Sequence, residues 1–447
     1  MREHATLAKT LTVPHVVFVG LAWMTPMIYF TVYGVAFEAS QGMLVAAYFV
    51  AFLAIFFTAY SYSQMAKAFP IAGSAYTYTK KALSPLTGFV VGWALLLDYL
   101  FSPIIACLTF GIFLNVQFPS IPIYAWIISL NIILAFVNII GIKSVAKVSG
   151  FSVIFQVIFI IFFCAFLIKD LVGGTGAGSL LSIQPFFNNE IPVSTIFAGA
   201  ALICFCFLGF DAVTTMAEET INPSKTIPRA IFLIVCIAAV LYLTTSYFSK
   251  LAYPSFSFID PDTASMELVK LVGGNLLSSL FITVLIVATF TQGVSSVTSV
   301  SRFLYAFGKE SVLPEKIFAY IHPRFQTPVI NIVFVSIISL LALVVNLDTA
   351  VMFVSFGALT AFTFVNLSVI AHYYIKEKRR SFSQTFLYLI FPLIGASFIG
   401  WLLTLLDGQT LLAGAVWIGF GLVYLFFRTN MFRIPLTDLK PGKVVYK

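Results

Sequence analysis

Runs of 18 or more apolar residues recur along the whole of this chain, and no other feature limits its fold so tightly. Each run can cross a hydrocarbon core of about 30 Å as a helix, and a helix satisfies its backbone polar groups internally. A β-barrel would show alternating stretches of about ten residues in place of unbroken runs. The chain is 60% hydrophobic and 9% charged, where a soluble domain carries about 25% charged residues. The expected class is an all-α polytopic membrane protein. Twelve spans are predicted: 14–37, 42–66, 85–113, 122–142, 146–168, 194–217, 228–250, 276–307, 328–346, 349–375, 385–406 and 410–427. The connections are short, so 1–427 reads as one transmembrane domain and 428–447 as a cytoplasmic tail. The longer loops are 218–227 and 308–327 on one side and 169–193 and 251–275 on the other. The first run lacks a small-residue cleavage site and reads as a retained helix. Cys107, Cys164, Cys204, Cys206 and Cys236 lie in apolar runs without metal-ligand spacing and read as packing residues.

Lysine and arginine sort by side. Of the 25, only Lys169, Lys250 and Lys270 fall on the side away from the N-terminus, and the other 22 fall on its own side. That asymmetry predicts an even number of spans with both termini in the cytoplasm. It also accounts for the formal net charge of +8. The basic patches read as topology determinants and lipid headgroup contacts, with no nucleic-acid site among them.

Two spans carry interruptions. The first contains Gly20-Leu-Ala-Trp-Met-Thr-Pro26, and a proline inside a helix deletes a hydrogen bond and crowds the preceding turn. The sixth contains FCFLGFDAVTTMAEET, Phe205 to Thr220, with Gly209 and Asp211 near its middle. A lone proline in a membrane helix is ordinarily a kink. Two interruptions five spans apart are what an inverted repeat of five helices produces, and such pairs point to a binding site. Non-helical backbone survives at membrane depth only where protein or a watery cavity satisfies it.

Two acids lie deep in the predicted spans: Asp98, in WALLLDYLF, and Asp211. A charged aspartate at a helix centre costs roughly 2.5–3.5 kcal/mol, so each should face the bundle interior and have a partner. No lysine or arginine lies at similar depth. The partner is therefore a proton, backbone amides, a sodium ion or a cationic ligand. The alternative is a hydrogen-bonded structural role. Glu218 and Glu219 stand at the end of span six and are read as anchoring the next loop to Arg229 or Lys225. His15, His322 and His372 lie near span ends and read as interfacial. Span eight carries Thr289, Gln292, Ser295, Ser296 and Ser299, four of them at helical spacing. Such a stripe either packs helices closely or lines a cavity. Thr360, Thr363 and Asn366 form a weaker row in span ten.

FPIAGSAYTYTKKALSPLTGFVVGW (Phe69–Trp93), FLGFDAVTTMAEETINPSKTIPRAI (Phe207–Ile231) and VSRFLYAFGKESVLP (Val300–Pro314) resemble the hallmark segments of the amino acid–polyamine–organocation superfamily. The likeness runs from about residue 10 to 430. GLAWMTPM, AGSAYTYTKK, GWALLLDYLF, CFCFLGFDAVTTMAEET and FGALTAFTFVNLSV are most similar to bacterial putrescine importers. The resemblance implies a LeuT-type fold of five plus five inverted helices, with 14–168 as first repeat, 194–375 as second and 385–427 as two peripheral helices. It implies that helices one and six unwind at the substrate and that protons drive uptake.

Amino-acid members of such a family carry a small Gly-x-Gly segment at the first break, where free N–H groups hold a carboxylate. Here Trp23 and Met24 crowd that place. A diamine has two ammonium groups and needs acids or aromatic faces. The expected site comprises Ala22, Trp23, Met24, Thr25, Asp98, Tyr99, Phe205, Phe207, Leu208, Asp211, Gln292 and Ser296. Asp98 and Asp211 are the candidate proton carriers, and Phe205 or Phe207 the aromatic gate. The expectation is a multi-pass importer of a small cation in the cell membrane, in contact with lipid and coupled to H+, with no cofactor or metal. An amino-acid transporter is the nearest rival and a non-transporting sensor a further one. No HExxH, GxSxG or P-loop pattern supports an enzyme, and two broken helices suit alternating access better than a channel.

Overall fold

The computed structural model describes residues 10–70, 74–141 and 145–429. The tail from 430 onward, Arg2, Lys9, Lys143 and residues 71–73 of the first hallmark segment lie outside the described residues, as does the side chain of Glu218. The described chain is helical, with one parallel backbone bridge between Leu11 and Thr220.

Eleven helices are long and apolar enough to span: Val13–Thr31, Leu44–Ala68, Pro85–Gln117, Ile123–Ile140, Gly150–Val172, Val193–Ala217, Pro223–Ala252, Ala264–Lys309, Leu347–Lys376, Phe382–Thr404 and Gly408–Arg428. They are spans one to eight and ten to twelve of the predicted twelve. The ninth is the shorter Val329–Leu343. Pro328 opens it and Asn346 closes it by capping the next helix through Thr349 N. At 1.5 Å per residue it reaches about 22 Å, short of the full core. Helix starts follow local chemistry. Ser84 and Asp407 accept hydrogen bonds from Thr87 N and Thr410 N, and Pro85 and Pro223 occupy first positions where their missing N–H costs nothing.

Two connections hold more helix than the sequence suggests. Ala75–Ala82 is helical, and its Lys80 reaches Glu310 at the end of span eight at 2.6 Å. Tyr76 donates to the same carboxylate. Span eight begins at Ala264, not 276, and turns at Gly274, whose φ is +60°. Glu267 and Lys270 interrupt the apolar run there, which hides the first turns from a hydropathy reading.

Spans three and ten are the most enclosed, while four, eleven and twelve turn most of their surface outward. Three and ten meet at Gly357, where an added Cβ would lie 2.6 Å from the Ala94 carbonyl and 2.9 Å from Asp98 N. The bundle is closed at both ends. On the N-terminal side Thr10 N and Leu11 N donate to the Glu219 carbonyl, and Ile221 N donates to Leu11 O, joining the ends of the two interrupted helices. Among the described residues Glu219 forms no ion pair with Lys225 or Arg229. On the far side Tyr29, Tyr48 and Tyr242 pack with ring centres 5.5–6.4 Å apart, and Phe207 stands edge-on to Tyr242 at 5.4 Å. The loop before span eight lies over span one there, its Pro261 carbonyl 2.1 Å from where a Cβ on Gly34 would sit.

Candidate substrate site at the two helix breaks

Helix one stops at Met24, and Thr25 adopts a φ of +55°. Pro26 has no N–H to offer the Ala22 carbonyl, and Thr25 Oγ1 donates to that carbonyl in its place at 3.0 Å. The Met27 N–H, which would continue the ladder to Trp23, donates instead to Gln156 Oε1 of span five at 3.1 Å. Ile28 N turns back to Thr25 O. The helix therefore leaves the Trp23 and Met24 carbonyls without their ladder donors. They stand at the C-terminal end of a half-helix, where the macrodipole is negative.

Helix six runs from Val193 to Ile203, tightens over Cys204–Phe207, passes through an extended Leu208 and resumes at Ala212. Gly209 has a φ of +120°, and a Cβ there would lie 2.7 Å from the Trp23 ring and 2.8 Å from Met24 N. Glycine is thus required twice over, by its dihedral and by the close approach of the other break. The Gly209 N–H donates to Asp211 Oδ1 at 3.2 Å. Tyr242 donates to the Cys206 carbonyl at 3.0 Å, and Tyr48 pairs with Cys206 Sγ.

Asp98 is buried beside the Gly357 crossing and accepts from Ser102 Oγ at 3.3 Å. Tyr99 places its ring 6.1 Å from Trp23 and 5.0 Å from Phe303. Asp98 and Asp211 are both buried, Asp98 next to Tyr99, whose ring meets Trp23, and Asp211 two residues from Gly209, which packs against the same Trp23 ring. Among the described residues neither forms an ion pair.

The structure brings Ala22, Trp23, Met24, Thr25, Asp98, Tyr99, Leu208 and Asp211 together around the crossing of the breaks. Phe207 belongs to the aromatic layer on the far side, and Phe205 lies in the same tight turn, its carbonyl bonded to Leu208 N. Gln292 and Ser296 are buried in span eight, where Ser296 bonds to Gly293 within its own helix. The polar link from span eight to the first break runs through Thr291 instead. Thr291 pairs with Ser152 at 3.0 Å, Gln156 Nε2 donates to Ser152, and Gln156 Oε1 holds Met27. Gln156 was not among the expected site residues, although it is the one amide in the run SVIFQVIFIIFF. Tyr62 of span two was also missed. Its ring stands edge-on to Phe210, the neighbour of Asp211, at 5.4 Å.

The amino acid permease family model matches residues 15–431. The low-affinity putrescine importer PlaP of Escherichia coli (strain K12) is 39% identical over 435 residues, which cover 96% of each chain. The branched-chain amino acid permease BcaP of Bacillus subtilis (strain 168) is 26% identical over 88% of this chain and 86% of its own. Cationic amino acid transporter 4 of Mus musculus is 29% identical over 75% of this chain and 55% of its own. With its two broken helices at spans one and six, this chain belongs to the amino acid permease family, within the amino acid–polyamine–organocation superfamily, and is a membrane transporter and not an enzyme.

Proposed function

We propose that this transporter imports putrescine, or a closely related polyamine, across the cell membrane by alternating access, with protons as the driving ion. One observation carries the substrate class: at the breaks two N–H donors are already taken by side chains, while the Trp23 and Met24 carbonyls have lost their ladder donors. Gly209 N–H is taken by Asp211, and Met27 N–H by Gln156. A substrate carboxylate would need such donors free. What remains is two carboxylates and the Trp23 and Met24 carbonyls, with the Trp23 and Tyr99 rings beside them. Acceptors and aromatic faces suit an ammonium group. The 39% identity to a putrescine importer supports the same reading.

The excess of Lys and Arg on the N-terminal side supports cytoplasmic termini. In that orientation the tyrosine layer is the outer seal and the Leu11–Thr220 bridge the inner one. Asp98 and Asp211 are the groups suited to carry a proton, because no fixed cation neutralises them. The test is radiolabelled putrescine uptake into proteoliposomes under separately imposed proton and sodium gradients, with free amino acids as competitors. Uptake driven by the proton gradient, diluted by unlabelled putrescine and not by free amino acids, supports the proposal. Robust amino-acid uptake without putrescine uptake overturns it in favour of the amino-acid reading.

A further inference from the structure

Span two contributes one side chain to the acids that the sequence reading passed over. The Tyr62 ring is fixed from two sides, edge-on to Phe210 at 5.4 Å and to Phe362 at 5.6 Å. Tyr78 of the Ala75–Ala82 helix packs against it at 6.2 Å. The residue is fully buried, and its hydroxyl has no hydrogen-bond partner among the described residues. A buried hydroxyl left unpaired is costly, and a phenylalanine would fill the same space without that cost. The hydroxyl is therefore a poor choice for the fold alone. Its surroundings suggest what it serves: the ring rests on Phe210, next in the chain to Asp211, and among the described residues no ion pair lies there.

We propose that the Tyr62 hydroxyl is the third polar arm of the cation site, accepting one N–H of a substrate ammonium group while donating its own proton to Asp211. This rests on the diamine reading above. A primary ammonium has three N–H donors and no acceptor. Asp98 and Asp211 take two of them, and the tyrosine oxygen takes the third. The O–H then points to a carboxylate, so the hydroxyl gains both of its partners when the substrate is present. Tyr62 would thus add to the preference for primary amines over cations that lack N–H groups, since its oxygen accepts an N–H and offers a quaternary nitrogen no hydrogen bond.

The variant Tyr62→Phe tests this in proteoliposomes. Because the hydroxyl has no partner without substrate, the variant should insert and melt in detergent at or above the wild-type temperature. Its KM for putrescine should rise by about tenfold or more, the loss expected for one hydrogen bond to a charged group. Inhibition by a bis-quaternary analogue of the same length, which has no N–H, should be unchanged. Wild-type uptake of putrescine with an unaltered KM in Tyr62→Phe overturns the assignment and leaves the import reading intact. A lower melting temperature in the variant also overturns it, since the hydroxyl would then support the fold. Absence of putrescine uptake by the wild type defeats the import reading itself, and the assignment with it.

Discussion

Proline at position 26 announces a break, but the residues that repair it are the more informative part. Thr25 bonds to the carbonyl that Pro26 abandons, and Gln156 takes the N–H that has lost its helical acceptor. The first repair is adjacent in sequence and the second comes from 129 positions away. No local pattern could pair Gln156 with Met27. The acids Asp98 and Asp211 were legible because charge inside an apolar run always demands an explanation. Their contacts were not, since Ser102 and Gly209 are ordinary neighbours until the backbone geometry is known. Those contacts shape the test. In Asp211→Asn the Oδ1 atom can still accept from Gly209 N–H, and in Asp98→Asn it can still accept from Ser102. Both variants should insert normally, and each should lose about 10- to 100-fold in kcat/KM for putrescine, as a charge-assisted bond is worth roughly 1.5–3 kcal/mol. Uptake kinetics beside a detergent melting curve separate the two effects.

At the scale of helices, periodicity and apolar length located the spans but not their ends or their crossings. Span eight starts twelve residues before its expected position because Glu267 and Lys270 made its first turns look like loop. The Ala75–Ala82 helix is too short and too polar to declare itself, yet Lys80 and Tyr76 tie it to Glu310. The close crossing of spans three and ten depends on Gly357, a residue with no sequence signature beyond being glycine. Gly357→Val would drive its side chain into the Ala94 carbonyl and the Asp98 backbone. Overpacking of this kind costs typically 1–3 kcal/mol. The expected result is a lower melting temperature together with loss of transport, because the displaced element carries Asp98. A Gly400→Val control, where the nearest neighbour is 3.9 Å away, should show neither effect.

For the molecule as a whole, two layers of contacts lie on opposite sides of the candidate site. A disulfide between cysteines introduced as Leu11→Cys and Thr220→Cys should hold the N-terminal seal shut and stop uptake, and reduction should restore it. The far side carries its own titratable contact. Asp262 lies half-buried in the loop over span one, and burial, then Asp260, Asp348 and Glu38, raise its pKa above the ordinary 3.8. An acid raised in the closed form holds the loop best when protonated. Below about 3.8 the holding contribution is complete, and it falls as pH climbs through the raised value. A spin label at Ser257 should therefore become more mobile as pH rises, and Asp262→Asn should flatten that dependence.

The two seals are made of different materials. The N-terminal one is a short set of backbone hydrogen bonds, and the far one is a layer of stacked and edge-on rings. Parting the rings exposes apolar surface and so carries a positive heat-capacity change, whereas parting the backbone bridge exposes mostly polar groups and carries little. Apolar burial weakens on cooling. Temperature alone should thus bias which way the carrier opens, with cold favouring the side of the tyrosines, and the unloaded protein would act as a thermometer for its own access equilibrium.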